Sequence, residues 1–150
     1  MSPHGTGAPD PLLRTLADFR YELRRFLHFS ERAALDVGLQ PQQHQLLLQV
    51  AGAPEGTAVT IAYAAERLGL KHNSAVELVD RSVREGLLAR KADAEDKRRA
   101  ILRITHRGNQ LLGRLSDDHA LELNELGPRL ERALRQIRLH APSPAGWVAQ

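Results

Sequence analysis

Leu68 to Gly108 reads LGLKHNSAVELVDRSVREGLLARKADAEDKRRAILRITHRG, and changes of rhythm within it decide the fold. Ala75, Leu78, Val79 and Val83 fall on one helical face, which Gly86 ends. Just upstream, Ile61, Ala64, Ala65 and Leu68 share a face that stops at Gly69. Two short helices joined by a tight, glycine-containing connection read as a helix-turn-helix. The period then changes to two. Leu87 to Arg90 is one strand candidate, and Ala100, Leu102 and Ile104 alternate with Arg99, Ile101 and Arg103 in a second. Lys91 to Arg98 between them is too hydrophilic for a core, so the pair forms a charged hairpin, or wing, beside the helix-turn-helix.

Working outward, Pro41 suits a first helical position, and Leu46, Leu47 and Val50 continue a short helix to Gly52. Ahead of it, Leu12, Leu16, Phe19, Leu23, Phe26, Ser30, Ala33 and Val37 recur at intervals of four and three, a narrow apolar seam broken only by Ser30. The spacing predicts a helix over Pro11–Asp36, about 39 Å long, ended by Gly38. A compact domain of this size has a radius of gyration of about 15 Å, so the ends of such a helix need cover. Beyond the wing, Leu112, Leu115, His119, Glu122 and Leu126 hold a more polar seam, which Gly127-Pro128 is expected to break before Leu130, Leu134 and Ile137 resume it. Terminal seams of this kind suit helices that pack together and against a second copy; an intramolecular bundle is the alternative. The fold class is mainly α with a small β-hairpin (α+β): a winged helix-turn-helix over 39–105, with helical dimerisation regions at 11–36 and 106–140. Residues 1–10 and 141–150 read as flexible, with Trp147 able to dock on the body.

The 150 residues, 42% hydrophobic and 26% charged, suit one domain or two small subdomains sharing a core. The absence of cysteine excludes disulfide scaffolds, Cys-ligated zinc fingers and thiol chemistry. No apolar run approaches a membrane span and Met1–Asp10 does not resemble a secretory signal, so a cytoplasmic location is expected. The formal charge of +3 is unevenly placed: Thr60–Gln110 holds 11 Lys/Arg against 7 Asp/Glu. A local basic excess suggests an anionic partner, nucleic acid being the usual one.

Val79-Asp80-Arg81, Gly86-Leu87, Asp96-Lys97-Arg98 and Thr105-x-x-Gly108, in this order and spacing, resemble the MarR family of winged helix-turn-helix regulators. Leu39–Leu48 resembles the family's short helix ahead of the reading head, and the likeness covers about Leu12 to Leu139. The resemblance implies a homodimeric transcription regulator that binds double-stranded DNA at an inverted repeat, a repressor relieved by a small-molecule effector. It implies a dimer interface including Leu12, Leu16, Phe19, Leu23, Leu130, Leu134 and Ile137. On the resemblance alone, Phe26, His28, His44 and Leu47 line an effector pocket. Where the family has a small hydroxyl capping residue this chain has Lys71, and Ser82-Val83 inverts the family's apolar-then-polar order.

On the recognition helix, His72, Asn73, Ser74 and Glu77 lie off the apolar face and near the end that enters a major groove. Asn can pair bidentately with adenine, Ser can bond several base edges and Glu can accept from cytosine N4. Asn73 and Ser74 suit helix capping equally well. In the wing, a long cation such as Arg98 suits the narrow minor groove, with Asp96 orienting it. Lys97 and Arg99 are phosphate-contact candidates, as are Arg81 and Arg90, for which surface solvation is the alternative. No histidine pair or carboxylate cluster has metal-ligand spacing, and His119 reads as a hydrogen-bonded interior histidine. No phosphate-cradling loop or nucleophile elbow is present, so neither a cofactor nor an enzyme activity is expected. The competing class is a winged-helix module whose hairpin binds protein. The basic wing and polar recognition face favour DNA.

Overall fold

The elements, in a computed structural model that describes residues 7, 8 and 10–142, run α1 (Pro11–Asp36), α2 (Pro41–Ala51), α3 (Ile61–Leu68), α4 (His72–Arg84), β1 (Leu88–Ala92), β2 (Ala100–Ile104) and α5 (His106–His140). This is the mainly α architecture with one β-hairpin that the sequence pattern implies. Trp147 and most of the two terminal stretches expected to be flexible lie outside the described residues.

Local chemistry accounts for the boundaries. The Asp10 carboxylate accepts the Leu12 N–H (2.9 Å) at the start of α1, and the chain leaves that helix through Gly38 at φ +83°. Thr60 caps α3 by accepting the Tyr63 N–H (3.1 Å), and Gly69 ends it in the left-handed conformation that only glycine adopts without strain. Thr105 opens α5: its hydroxyl oxygen accepts the Gly108 N–H (3.1 Å) and lies 2.6 Å from the Gly86 carbonyl and 3.0 Å from the Leu87 carbonyl, the two acceptors for its one proton. The Thr-x-x-Gly spacing thus joins a helix cap to the end of the helix-turn-helix.

Three expectations need correction. Gly127-Pro128 does not break the last helix. Proline in a helix interior costs about 3 kcal/mol, but Leu126, Leu130, Ala133 and Ile137 continue one partly or fully buried stripe across it at intervals of four, three and four. Continuous packing overrides the local penalty. On α4 the fully buried position belongs to Ser82, not Val83. Its hydroxyl donates to the Leu78 carbonyl (2.8 Å), so it enters the core with its polar atom satisfied, and Val83 is only half-buried. The first strand runs over Leu88–Ala92 rather than Leu87–Arg90 and pairs antiparallel with β2, Leu88 facing Ile104 and Ala92 facing Ala100. Ladder bonds, not burial, extend it into the polar connector.

The chain forms two compact units, a central one over Ser30–His119 and a terminal one comprising the chain up to Phe29 and from Ala120 on. In the central unit Ala34, Leu46, Leu47, Val79, Leu87, Leu102 and Leu115 are at most 2% exposed and belong to one core. A backbone bond from Leu102 N–H to the Val59 carbonyl (2.8 Å) ties β2 to the segment entering α3. The terminal unit is covered differently. Its seam residues Leu12, Phe19, Leu23, Leu130 and Ile137 are half-buried, and Leu16 and Leu134 are exposed. A groove of about 610 Å³ runs between α1 and α5, lined by Phe19, Leu130 and Ala133 with the charged Asp18, Glu22 and Arg132. Arg129 crosses to Glu22 at 3.3 Å.

Candidate nucleic-acid interface

α4 turns Ala75, Leu78, Val79 and Ser82 into the core, so the opposite side of the same helix faces water. His72, Asn73, Ser74, Glu77 and Arg81 are all exposed there. Lys71 is the residue before the helix and makes no side-chain capping bond. Asn73 and Ser74 therefore lie inside the first turn, past the position where their side chains would cap. Arg81 and Arg84 occupy the last turn, where cations complement the helix dipole.

The wing tip, residues 93–99, is a folded loop. Asp93 accepts the Glu95 N–H (3.0 Å) and pairs with the Arg99 guanidinium across the hairpin mouth. The Glu95 backbone bond first, then Arg99, hold the Asp93 carboxyl below its ordinary range. The Arg99 pKa is raised in turn by its hydrogen bond to Asp93. Asp96 accepts the Arg98 backbone N–H (3.0 Å), and its carboxylate lies 3.7 Å from the Arg98 Nε. The Arg98 side chain is 96% exposed, so the tip pins the backbone of this residue while its guanidinium stands in solvent. Lys97 beside it is exposed.

Arg90 and Arg99, candidates for phosphate contact, are both engaged within the protein. Arg99 closes the tip with Asp93, and Arg90 of β1 pairs with Asp80 of α4, joining the wing to that helix. Neither acidic partner was singled out from the sequence. Asp80 sits inside the Val-Asp-Arg motif, and Asp93 and Arg99 are the first and last residues of the tip between the observed strands, a pairing that the expected strand bounds did not bring out. Also missed was Gln43, which is 1% exposed: its Oε1 accepts the Gln40 N–H (3.0 Å) and its Nε2 donates to Glu85 (2.8 Å), linking the start of α2 to the end of α4.

The residues assigned to an effector pocket are distributed over both units. Phe26 is half-buried and His28 exposed in the terminal unit, whereas His44 and Leu47 are core residues of the central one. Among the described residues no group of three or more His, Asp or Glu side chains could hold a metal ion.

Residues 37–99 match the sequence profile of the MarR family. No curated protein matches the chain significantly. Among solved structures the chain is similar to the transcriptional repressor CouR bound to a 23-mer DNA duplex, with 25% identity over 80% of this chain and 83% of that one and a TM-score of 0.63. It is similar to AbsC, a MarR family transcriptional regulator from Streptomyces coelicolor, with 16% identity over 91% and 97% of the two chains and a TM-score of 0.67. A third is MepR, a transcription regulator of the Staphylococcus aureus multidrug efflux pump MepA, with 20% identity over 81% and 88% and a TM-score of 0.63. Residues 37–99 thus match the sequence profile of the MarR family, and the chain has the winged helix-turn-helix fold of solved transcription regulators such as AbsC and MepR.

Proposed function

We propose that the chain is a homodimeric, sequence-specific DNA-binding regulator of transcription, a repressor relieved by a small-molecule effector and acting in the cytoplasm. The observation that carries the DNA reading is Arg98, a solvent-exposed cation on a tip whose backbone is pinned by Asp96. A guanidinium so held suits the negative, narrow minor groove, and Lys97 beside it suits a phosphate. His72, Asn73, Ser74 and Glu77 supply polar groups for base edges, and Arg81 a phosphate contact. Arg90 and Arg99 act on the shape of the wing. Residues 39–105 form the DNA-binding part, and 11–36 with 106–140 the dimerisation part. Among the described residues no helix is long and apolar enough to cross a membrane.

The dimer reading rests on cover. Among the described residues, eight of ten exposed large hydrophobics lie in the terminal unit, Leu13, Leu16, Leu121 and Leu134 among them. Exposed apolar surface of this concentration marks an association face. The groove there carries both signs of charge, which a two-fold copy can match. Sedimentation equilibrium at micromolar concentration is expected to give twice the chain mass of 16.7 kDa; a clean monomer removes the dimer.

Two recognition helices related by a two-fold axis call for an inverted repeat with half-site centres about 10 bp apart. Selection from a random duplex library followed by footprinting tests this, and a single asymmetric half-site contradicts it. Asn73→Ala is expected to lose about 1–3 kcal/mol at one or two symmetric base positions while leaving the salt dependence of binding nearly unchanged.

A further inference from the structure

The one polar break in the α1 seam has a partner. Ser30 is 5% exposed, and its hydroxyl lies 2.8 Å from Nε2 of His119 on α5. The other ring nitrogen, Nδ1, lies 2.6 Å from the Leu115 carbonyl oxygen. A carbonyl only accepts, so Nδ1 carries a proton and donates it to Leu115, and the Ser30 hydroxyl holds Nε2. Against this fixed ring packs His44 of α2, 3% exposed, with centroids 4.9 Å apart and planes inclined at 51°. The His44 Nδ1 is buried and has no hydrogen-bond partner. An imidazole packed this way has a place in the core only while it is neutral.

α1 presents the uncharged Ser30 and α5 presents His119. The flanking residues on α2 are Gln43 and Gln45, and the nearby Glu85 of α4 is engaged by Gln43. Among the described residues no carboxylate forms an ion pair with His44. Burial first, and then the charge of His119, hold its pKa down from 6.5 to about 4. Gln43, immediately before His44, also connects the first turn of α2 to the end of the recognition helix.

We propose that the contact between His44 and His119 is a proton-sensitive joint, which opens when His44 takes up a proton and loosens α2, and through Gln43 the recognition helix, from its DNA-binding arrangement. The second half of this statement rests on the DNA-binding reading above. Because the folded state disfavours the proton, the stabilisation is complete above pH 6.5 and is lost as pH falls from there toward 4. Between pH 7.5 and 5.5 the opening equilibrium constant of α2 should rise about tenfold.

Hydrogen exchange of the α2 amides, corrected for intrinsic rates, is to be compared at pH 7.5 and 5.5 in the full chain and in His44→Gln. Binding to a duplex selected at pH 7.5 is measured at the same two pH values and fixed ionic strength. The expected result is a rise of about tenfold in α2 opening for the wild type with weaker duplex binding at pH 5.5, and ratios near one for His44→Gln. Equal pH ratios in the two proteins overturn the joint. Increased opening without any change in duplex affinity overturns its coupling to DNA. If no duplex can be selected at pH 7.5, the DNA reading fails while the exchange data still decide the joint. Should His44→Gln not fold, the ring-proton titration of His44 in the wild type decides: a midpoint near 4–5 supports the proposal and one near 6.5 overturns it.

Discussion

Gly108→Ala is expected to destabilise the protein by more than 2 kcal/mol, although it replaces glycine by the best helix former. A Cβ at this position would sit 2.3 Å from the Leu87 carbonyl oxygen and 3.0 Å from the Ile104 Cγ1. The first neighbour is backbone and cannot turn aside. It is also an acceptor for the Thr105 N–H (3.1 Å) and near the Thr105 hydroxyl, so displacing it disturbs the cap of α5 as well. Overpacking of this kind costs about 3 kcal/mol or more, against a gain of about 1 kcal/mol in helix propensity. The net loss should lower the melting temperature by about 5–10 °C. Gly113→Ala on the same helix is the control. Nothing lies within 4 Å of its added Cβ, so only the propensity term remains and the change should stabilise by up to about 1 kcal/mol. Thermal melts of the two variants side by side check the argument. Equal effects would show that Leu87 and Gly108 are not in contact.

Arg98→Ala is expected to weaken DNA binding more than any other wing substitution, for specific and unrelated duplexes alike. The side chain is 96% exposed, so its removal leaves packing untouched and the loss is electrostatic. One cation lost per protomer lowers the salt slope by about 0.9, or about 1.8 for a dimer. That corresponds to roughly a 60-fold loss at 0.1 M salt referred to 1 M, with an additional loss at A·T-rich flanks. Asp96→Ala should be milder: the guanidinium survives and only the acceptor that pins its backbone is removed. Arg99→Ala should act differently, because this cation closes the tip on Asp93; its loss should loosen the hairpin before it changes the salt slope. Titrations at several salt concentrations separate the three. An unchanged slope for Arg98→Ala would favour the protein-binding reading of the wing.

The local signals in the sequence were sufficient for most elements. Pro41, Gly38, Gly69 and Gly86 each mark a boundary through a backbone preference that belongs to the residue itself: α2 begins at Pro41, and α1, α3 and α4 end within two residues of the three glycines. Misreadings arose where a distant partner decided the outcome. Pro128 looks like a break to any local rule and is overruled by packing along α5. Ser82 looks polar until its hydroxyl finds the Leu78 carbonyl one turn back. In the candidate interface the exposed face of α4 followed from periodicity, because facing outward requires no partner, whereas Arg98 was singled out by the resemblance of Asp96-Lys97-Arg98 to the family's wing. The engagement of Arg90 by Asp80, of Arg99 by Asp93 and of His119 by Ser30 could not be read, since each depends on which elements become neighbours. A run of basic residues in a sequence thus overstates the cations that a wing offers.

The exposed leucines and the recognition helix belong to different units of the chain. If the leucines are the assembly face, assembly does not require a working recognition helix. A subunit with a ruined α4 would still be accepted by an intact one, and the mixed pair would have one reading head instead of two. In a cell making both forms in equal amounts, random pairing would leave only a quarter of the pairs fully intact. Lesions in α4 would then be inherited as dominant, whereas lesions that abolish assembly would be recessive.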